Sequence, residues 1–472
     1  MRYLPHTDDD IQRMLRVIGQ PSVEALFAHI PDRLRAKRPL DIEALDEGAL
    51  LEHLGDLGAH NVPSMGATQR DGAALSFLGA GVVPHIIPTA VDMLLQRSEW
   101  YTSYTPYQPE VSQGTLQAVF EYQTMVSEIL GLGVANASMY DGASAAAEAV
   151  LMAMRVTGHK RVILAGAIHP HTTETIRTYL SAEAATPAEL ADVCVIVPSG
   201  DVGSDGRVAL ASLIAALDAT AEVAAVVVQT PNFFGVLEDV APLAKAAHDK
   251  GALLIVANSE PLAFALIEPP GAVGADIAVS EGLGLAIPPS AGGPGVGLFA
   301  ARADLVRQIP GRLVGETVDK DGRRGYVLTL ATREQHIRRE KATSNICTNQ
   351  GLVALAFTIH LSLLGKNGFR EMARLGLAKA EYAKSTLAAA GLPVAFSGPT
   401  FNEFAIRLPA GSDARAVVAR LADERLFAGV PATADGLLTN AALDRILLVA
   451  VAERHKRADI DRLAQRLREV CS

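Results

Sequence analysis

Six short apolar runs, separated by segments with helical periodicity, place the strongest constraint on how this 472-residue chain can fold. The runs lie at residues 161–164, 193–197, 223–228, 252–256, 276–279 and 296–300. They lack the alternation of apolar and polar residues that marks a half-exposed strand. Strands buried on both faces are typical of a mostly parallel sheet covered by helices on both sides. The pattern therefore predicts an α/β domain.

The segments on either side of these runs have a different character. Near the N-terminus, Thr7 can cap a helix that ends at Gly19. The apolar residues on one face of this helix are Ile11, Met14, Leu15 and Ile18. Toward the C-terminus, a long apolar helix and two further strands, at residues 401–408 and 445–451, predict a smaller α+β domain. We therefore expect a helical arm at residues 1–66, a large α/β domain at residues 67–330 and a C-terminal α+β domain at residues 331–472.

Charge, cysteine content and hydropathy exclude several classes of function. The formal net charge of −10 and the isoelectric point near 5.7 argue against a nucleic-acid partner, which needs clustered Lys and Arg. Three cysteines with unrelated spacing favour a reducing compartment over a disulfide framework or a zinc ribbon. The N-terminus is acidic where a secretion signal is apolar, and polar residues interrupt the longest apolar stretch, residues 351–365. We therefore expect a cytoplasmic protein without a membrane segment, whose partners are small molecules or proteins.

Residues 101–110 form the densest polar and aromatic segment of the chain. Pro106 and Pro109 forbid a regular helix or a central strand, so the segment must be a loop. Its polar and aromatic side chains are Tyr101, Tyr104, Tyr107, Gln108 and Glu110. They can form the wall of a substrate site, because loops held by a rigid scaffold often carry function. The same rings can instead form an aromatic plug over the core, and the residues alone favour the plug.

Two further segments could hold an anion or a metal, but each has a simpler structural explanation. Asp141 precedes an alanine-rich helix whose first N–H groups could hold a phosphate. The carboxylate of Asp141 can cap those groups itself and would repel an anion. His169 and His171 follow the first apolar run, but no third metal ligand accompanies them. We therefore expect an N-cap at Asp141 and no metal site.

Residues 336–350 combine basic side chains with hydroxyl and amide donors, just ahead of an apolar helix. Donors of this kind can bind an anion, but Ser344 or Asn345 can equally cap the helix, so both interpretations stay open. The sequence contains no serine elbow, paired metal carboxylates or catalytic cysteine motif. On the residues alone, the chain is an α/β protein with a candidate site in a loop.

Several segments, in their order and spacing, resemble subunit 1 of the two-subunit glycine decarboxylases, which are P-proteins of the glycine cleavage system. These segments are residues 2–7, 77–81, 104–110, 112–116, 135–142, 341–348 and 401–404. The resemblance extends from residue 2 into the C-terminal domain. It implies the fold-type I architecture of pyridoxal-phosphate enzymes, with an N-terminal arm, a large domain with a mostly parallel sheet and a smaller C-terminal domain. This architecture agrees with the pattern of apolar runs.

The resemblance also implies a reaction and a set of partners. The family decarboxylates glycine oxidatively and passes the aminomethyl group to the lipoyl group of H-protein, in glycine catabolism. The implied activity is glycine dehydrogenase (aminomethyl-transferring), and it requires a complex with subunit 2. The expected assembly is α₂β₂, with pyridoxal phosphate only in subunit 2.

The chain lacks the two protein groups that this cofactor chemistry needs. A lysine forms the resting Schiff base, and an aspartate keeps the pyridine nitrogen protonated. Alignment with the catalytic subunit places Ala257 at the aspartate position and Leu283 or Gly284 at the lysine position, and residues 251–319 contain no lysine. We therefore expect neither a cofactor nor catalytic residues in this chain, and only a structural role for His169. The residues that the resemblance suggests are contributed to the partner's site are Tyr101, Tyr104, Tyr107, Gln108, Thr343, Ser344 and Asn345.

Overall fold

The computed structural model describes residues 5–38, 41–61, 74–200, 203–290, 292–330, 335–434 and 437–471. Contacts divide the chain into two compact units, residues 1–61 and residues 62–472. The boundary predicted after residue 66 lies outside the described residues, and the boundary predicted after residue 330 adjoins a second stretch outside them. The division into three domains therefore stays a prediction.

The first unit contains two helices, α1 (Asp8–Ile18) and α2 (Glu47–Ala59). The predicted cap of α1 is confirmed, because the Thr7 hydroxyl accepts a hydrogen bond from the Asp10 N–H and the Asp10 carboxylate accepts one from the Thr7 N–H. Gly19 ends the helix in the left-handed region, with φ of 70°. Both ends of this helix are therefore specified by local sequence.

The second unit is built from helices and strands in alternation. Its helices are α3 (Thr89–Leu95), α4 (Ser98–Tyr101), α5 (Gln113–Leu130), α6 (Gly142–Thr157), α7 (Pro170–Leu180), α8 (Pro187–Val193), α9 (Leu210–Ala219), α10 (Val240–His248), α11 (Gln335–Arg338), α12 (Gly351–Ala389), α13 (Ala414–Ala422) and α14 (Arg457–Val470). Its strands are β1 (Leu75–Ser76), β2 (Val134–Ala135), β3 (Arg161–Ala165), β4 (Cys194–Val197), β5 (Val223–Gln229), β6 (Leu253–Asn258), β7 (Ile277–Glu281), β8 (Gly297–Ala301), β9 (Leu313–Val318), β10 (Arg324–Thr329), β11 (Glu403–Arg407), β12 (Leu426–Phe427), β13 (Val430–Pro431) and β14 (Ile446–Ala450).

The largest sheet has the strand order β2-β8-β7-β6-β5-β3-β4. Strands β7, β6, β5, β3 and β4 are parallel, whereas β8 and β2 are antiparallel to their neighbours. The six predicted apolar runs correspond to β3 through β8, which confirms them. One face of the sheet packs against α6 and the other against α9 and α10, so β5 is buried along its whole length. Because helices cover both faces of the sheet, the strands are apolar along their length and do not alternate with polar residues.

A three-stranded antiparallel sheet, β11-β14-β13, forms the core of the C-terminal part together with α13, α14 and the second half of α12. The strands predicted at residues 401–408 and 445–451 correspond to β11 and β14. Strand β1 pairs in parallel with β12, so the chain first contacts the C-terminal part and then continues to the large sheet. The β9–β10 hairpin was not predicted from the sequence.

Among the described helices, α12 is the one long and apolar enough to cross a membrane by length and composition. Its side chains instead contribute to a protein core, where Val353, Phe357 and Leu361 pack with residues of α5. Gly365, with φ of 57°, interrupts the helical geometry between its two halves. We therefore interpret α12 as a core helix of this fold.

Candidate functional site

The carboxyl ends of β6 and β7 lie beside the first turn of α6, at the edge of the sheet where α/β proteins commonly bind ligands. Ala257 is near the end of β6 and is 4 % exposed. Leu283, which is 3 % exposed, and Gly284 follow β7 in a short 3₁₀ turn. The positions that the resemblance assigns to an aspartate and a lysine therefore hold small or apolar residues in a closed environment.

Glu281, the last residue of β7, places its own carboxylate at the first turn of α6. Its Oε2 accepts a hydrogen bond from the Gly142 N–H at 2.9 Å. Its Oε1 accepts from the N–H groups of Leu283 at 2.9 Å and Val296 at 3.0 Å. Burial raises the pKa of Glu281, and the three hydrogen bonds oppose that shift. The Glu281 carboxylate thus occupies one donor of the α6 N-terminus, the Gly142 N–H, together with two backbone N–H groups outside that helix.

Asp141 supplies a second carboxylate at the same turn. Its Oδ1 accepts from the Ser144 N–H at 2.7 Å, which confirms the predicted N-cap. A bound phosphate would meet two carboxylates, and the pocket offers neither a lysine for a Schiff base nor an acid for the pyridine nitrogen. The residues around this pocket do not fit pyridoxal phosphate.

Residues 77–87, which we call the strap, pass Gly284, one of the two positions that the resemblance assigns to the lysine. The carbonyl oxygen of Val83 lies 2.6 Å from the point where a Cβ on Gly284 would be, so a side chain there would meet the strap backbone. His169 contacts the strap as well, since its Nε2 donates to the Ala80 carbonyl at 2.9 Å. Its Nδ1 accepts from a backbone N–H of α7, and burial lowers its pKa. Among the described residues, no group of three His, Cys, Asp or Glu side chains is arranged to hold a metal.

The tyrosine loop, residues 101–108, carries its rings on the surface. The exposed fractions are 69 % for Tyr101, 82 % for Tyr104 and 56 % for Tyr107, and Gln108 is also exposed. Rings with this exposure do not cover the core, so the aromatic-plug interpretation is wrong. The rings of the loop are therefore largely accessible from outside the chain.

A cavity of about 150 Å³ lies beneath the tyrosine loop. Residues that line it include Trp100, Tyr101, Tyr104, Tyr122, Arg312, Thr348 and Asn349. Pockets for cofactor-sized or drug-sized ligands usually occupy about 300–1,000 Å³. This cavity therefore has room for a few heavy atoms but not for a pyridoxal phosphate.

Arg312 joins the tyrosine loop to the chain just before α12. It is 5 % exposed, and its Nη2 donates to the Cys347 carbonyl at 2.7 Å and to the Tyr107 hydroxyl at 3.4 Å. Its Nη1 donates to Asn349 Oδ1 at 3.3 Å, and its guanidinium carbon lies 5.6 Å from the centre of the Tyr107 ring. One buried side chain thus fixes Tyr107 and Asn349 relative to each other.

Comparison with known proteins identifies the family of the chain. The sequence model described as glycine cleavage system P-protein matches residues 1–467. The chain belongs to the glycine cleavage system P-protein family. A relative from Sorangium cellulosum (strain So ce56), named "Probable glycine dehydrogenase (decarboxylating) subunit 1", is 54 % identical over 467 residues, which cover 98 % of each chain. A relative of the same name from Rhodospirillum rubrum is 49 % identical over 477 residues, which cover all of both chains.

Solved structures agree with this membership. A crystal structure of glycine decarboxylase (P-protein) of the glycine cleavage system, in inhibitor-bound form, is similar over the whole of both chains, with a TM-score of 0.83 and 43 % identity. Oryza sativa TDC with PLP and tryptamine has a TM-score of 0.64 over 99 % of both chains at 14 % identity, a likeness of fold alone. The predicted fold-type I class and the resemblance to this family are confirmed. The P-protein fold thus serves a glycine decarboxylase role in this chain.

In this P-protein the structure does not bring all the predicted site residues together. The cavity beneath the tyrosine loop is not lined by Thr343, Ser344 and Asn345. The Asn345 side chain is hydrogen-bonded to Tyr179, and the Ser344 hydroxyl accepts from the Ile346 N–H at 3.4 Å. Helix α12 begins after Gln350 without a side-chain cap, so the interpretation of Ser344 or Asn345 as its cap is wrong.

Sequence reasoning missed several residues of this candidate site. Thr348 is the last residue of the segment already recognised at residues 341–348, and Asn349 is the next residue, so the signal lay within that segment or directly beside it. Arg312 and Glu281 belong to no recognised motif. Their importance becomes visible only when the fold places them beside the tyrosine loop and α6.

Proposed function

We propose that this chain is the cofactor-free subunit 1 of a glycine dehydrogenase (decarboxylating), active only with a subunit 2 that carries pyridoxal phosphate. The observation that carries the proposal is the internally filled pocket at the sheet edge. Ala257 stands at the position of the aspartate and Leu283 or Gly284 at that of the lysine, and Glu281 already accepts the Gly142 N–H at the start of α6. The name "subunit 1" of the relatives supports the existence of a partner.

In this proposal the complex decarboxylates glycine and transfers the aminomethyl group to the lipoyl group of H-protein. Pyridoxal phosphate in subunit 2 supplies an electron sink for the broken carboxyl bond. The contribution of this chain is a wall of the partner's site that orients the substrate and excludes water. The residues proposed for that wall are Tyr101, Tyr104, Tyr107, Gln108, Arg312, Thr348 and Asn349. Thr343, Ser344 and Asn345 remain proposed contacts with the partner.

The surface around the tyrosine loop supports an obligate protein partner. Large apolar or aromatic side chains exposed along one stretch of chain are Ile86, Met93, Leu94, Tyr101, Tyr104, Tyr107 and Val111. Monomeric proteins rarely expose large apolar patches, and Tyr and Met are enriched in the cores of interfaces. Obligate interfaces commonly bury more than about 2,000 Å² in total. We propose an α₂β₂ assembly in the cytoplasm, without nucleic-acid or membrane contacts.

Association is tested by multi-angle light scattering of this chain mixed with subunit 2 at micromolar concentration. An α₂β₂ mass is expected. A chain that stays monomeric with excess subunit 2 would count against the proposal.

Activity is tested by glycine-dependent exchange of labelled carbon dioxide in the presence of lipoyl H-protein. Three samples are compared, namely this chain, subunit 2 and the mixture, each with pyridoxal phosphate. Exchange is expected only in the mixture. Full exchange by subunit 2 without this chain, or by this chain without subunit 2, would refute the proposed division of roles.

A further inference from the structure

His85, in the strap, lies between two buried carboxylates. Its Nδ1 is 2.8 Å from Glu453 Oε2, and its Nε2 is 3.0 Å from Glu260 Oε2. The side chains of all three residues are less than 10 % exposed. A carboxylate can only accept hydrogen bonds, and a neutral imidazole donates from only one of its nitrogens. If both side chains are ionised, the two carboxylates can accept from opposite nitrogens only when the ring is doubly protonated.

Both carboxylates are held in place by further donors. Oε1 of Glu453 accepts from the Ile86 N–H at 2.7 Å, so this carboxylate contacts two successive residues of the strap. Oε2 of Glu260 also accepts from Asn402 Nδ2 at 3.0 Å, and its Oε1 accepts from the Leu262 N–H at 3.2 Å. The group is thus a network with partners on every side, as buried charges require.

Other titratable groups lie near this network, and the cations Lys379 and Arg454 also interact with Glu453. Nδ1 of His360 in α12 donates to the Leu285 carbonyl at 2.8 Å, and burial lowers the pKa of this histidine. Lys379 donates to the backbone carbonyl of Glu453. Glu403 accepts from the Ala80 N–H at 2.6 Å, and burial raises its pKa to about 7. The two carboxylates at hydrogen-bond distance raise the pKa of His85 to about 10, despite full burial.

We propose that His85, Glu260 and Glu453 form a clamp that positions the tyrosine loop. The clamp connects three separate parts of the fold, namely the strap, the turn after β6 and the chain after β14. The strap leads directly into α3 and α4, and the tyrosine loop begins at the last residue of α4. Fixing the strap at residues 85 and 86 therefore fixes the point from which the loop departs.

His85 is a positioning residue in this account, because it acts on the loop through the backbone and does not touch the cavity. The part of the inference that assigns the loop to the partner's site rests on the proposed function. The charge state of the clamp and its effect on the position of the loop do not depend on the proposed function. The two parts can be tested separately.

The charge state is tested on the wild-type chain by ¹⁵N NMR of labelled histidine rings, which needs no variant. The chain has twelve histidines, and a histidine with an ordinary pKa near 6.5 is neutral at pH 8.5. One ring is expected to keep both protons at pH 8.5. A spectrum at that pH with no imidazolium signal, as a neutral ring beside a protonated carboxyl would give, would overturn the clamp.

The hold on the loop is tested by hydrogen exchange of the His85→Gln variant, alone and in the reconstituted complex. Loss of protection is expected in peptides from residues 86–108, while peptides from β5 keep theirs. His169→Gln is the matched control, because it removes a neutral histidine contact to the same strap. Unchanged protection of residues 86–108 in His85→Gln would overturn the positioning role. Lost amide protection together with a wild-type rate of glycine-dependent carbon dioxide exchange would support the clamp. It would contradict the role of the loop in the partner's site.

Discussion

At the scale of single residues, Glu281 places a carboxylate beside the first turn of α6, where other proteins can bind an anion. A helix N-terminus carries unpaired N–H groups and a positive partial charge, and both are satisfied by a phosphate or a carboxylate. Here three backbone N–H groups donate to the one Glu281 side chain. The fold should therefore depend on this carboxylate for stability.

Replacing Glu281 by Ala should lower the free energy of unfolding by about 2–4 kcal/mol, because buried donors that lose their acceptor cost about 1–3 kcal/mol each and some regain water. Urea unfolding followed by circular dichroism measures the change. Glu268→Ala, which alters an exposed carboxylate that precedes β7 in sequence, is the control and should change stability by less than about 0.5 kcal/mol. Equal effects of the two substitutions would show that the Glu281 hydrogen bonds contribute little.

Glu148 in α6 is a second buried carboxylate with a consequence for stability. It is fully buried, and within the described residues neither of its carboxylate oxygens has a hydrogen-bond partner. Burial raises its pKa from 4.5 to about 7, opposed by the charge of Arg155. Between these two values the folded state keeps a proton that the unfolded state releases. Its contribution to stability therefore falls as pH rises from 4.5 to 7 and stays low above that range.

Glu148→Gln removes this titration while keeping the shape of the side chain. The variant should be more stable than the wild type by about 1–3 kcal/mol at pH 8, and the difference should vanish near pH 4.5. Urea unfolding at both pH values tests this, with the exposed Glu128→Gln of α5 as the control. A stability difference that does not change with pH would contradict the raised pKa.

At the scale of secondary-structure elements, most of the correct predictions came from local sequence patterns. Runs buried on both faces identified β3 through β8, and the Thr7 and Asp141 caps were visible because a capping side chain acts within three residues. The β9–β10 hairpin was not predicted, because its strands are partly exposed and lack a sustained pattern of apolar residues. The site was harder still. Arg312 is 205 positions from Tyr107, and His85 is 368 positions from Glu453, so only the tertiary fold brings these pairs together.

Variants of the tyrosine loop distinguish two roles for this chain. It either contributes residues to the partner's site or only supports that site structurally. Tyr104→Phe or Tyr107→Phe removes one hydroxyl and leaves the ring. If that hydroxyl is positioned in the partner's site, glycine exchange by the reconstituted complex should fall about ten- to a hundredfold, equivalent to roughly 1.5–3 kcal/mol. Assembly and cofactor content should not change.

The control for the loop variants is Tyr382→Phe, which removes a tyrosine hydroxyl from α12 where it donates to Asp461. This variant should keep wild-type exchange. Wild-type rates of glycine exchange for both loop variants would show that neither hydroxyl takes part in the mechanism. A joint loss of activity and assembly would assign the loop to packing at the interface instead.

At the scale of the whole molecule, the chain keeps the architecture of a pyridoxal-phosphate enzyme, and we propose that its own residues fill the corresponding pocket. Glu281 accepts the Gly142 N–H at the start of α6, and the strap backbone lies against Gly284. We propose the exposed tyrosine loop and the small cavity beneath it as the part of this chain that meets subunit 2. We therefore place the contribution of this chain at an interface and the cofactor in its partner.

The most direct test of this account is to locate the cofactor in the reconstituted complex. The complex is reduced with borohydride, which fixes a Schiff base as a pyridoxyl-lysine, and both chains are then mapped by mass spectrometry. The account predicts one pyridoxyl-lysine for each subunit 2 and none in this chain. A stoichiometric pyridoxyl-lysine in this chain would contradict it.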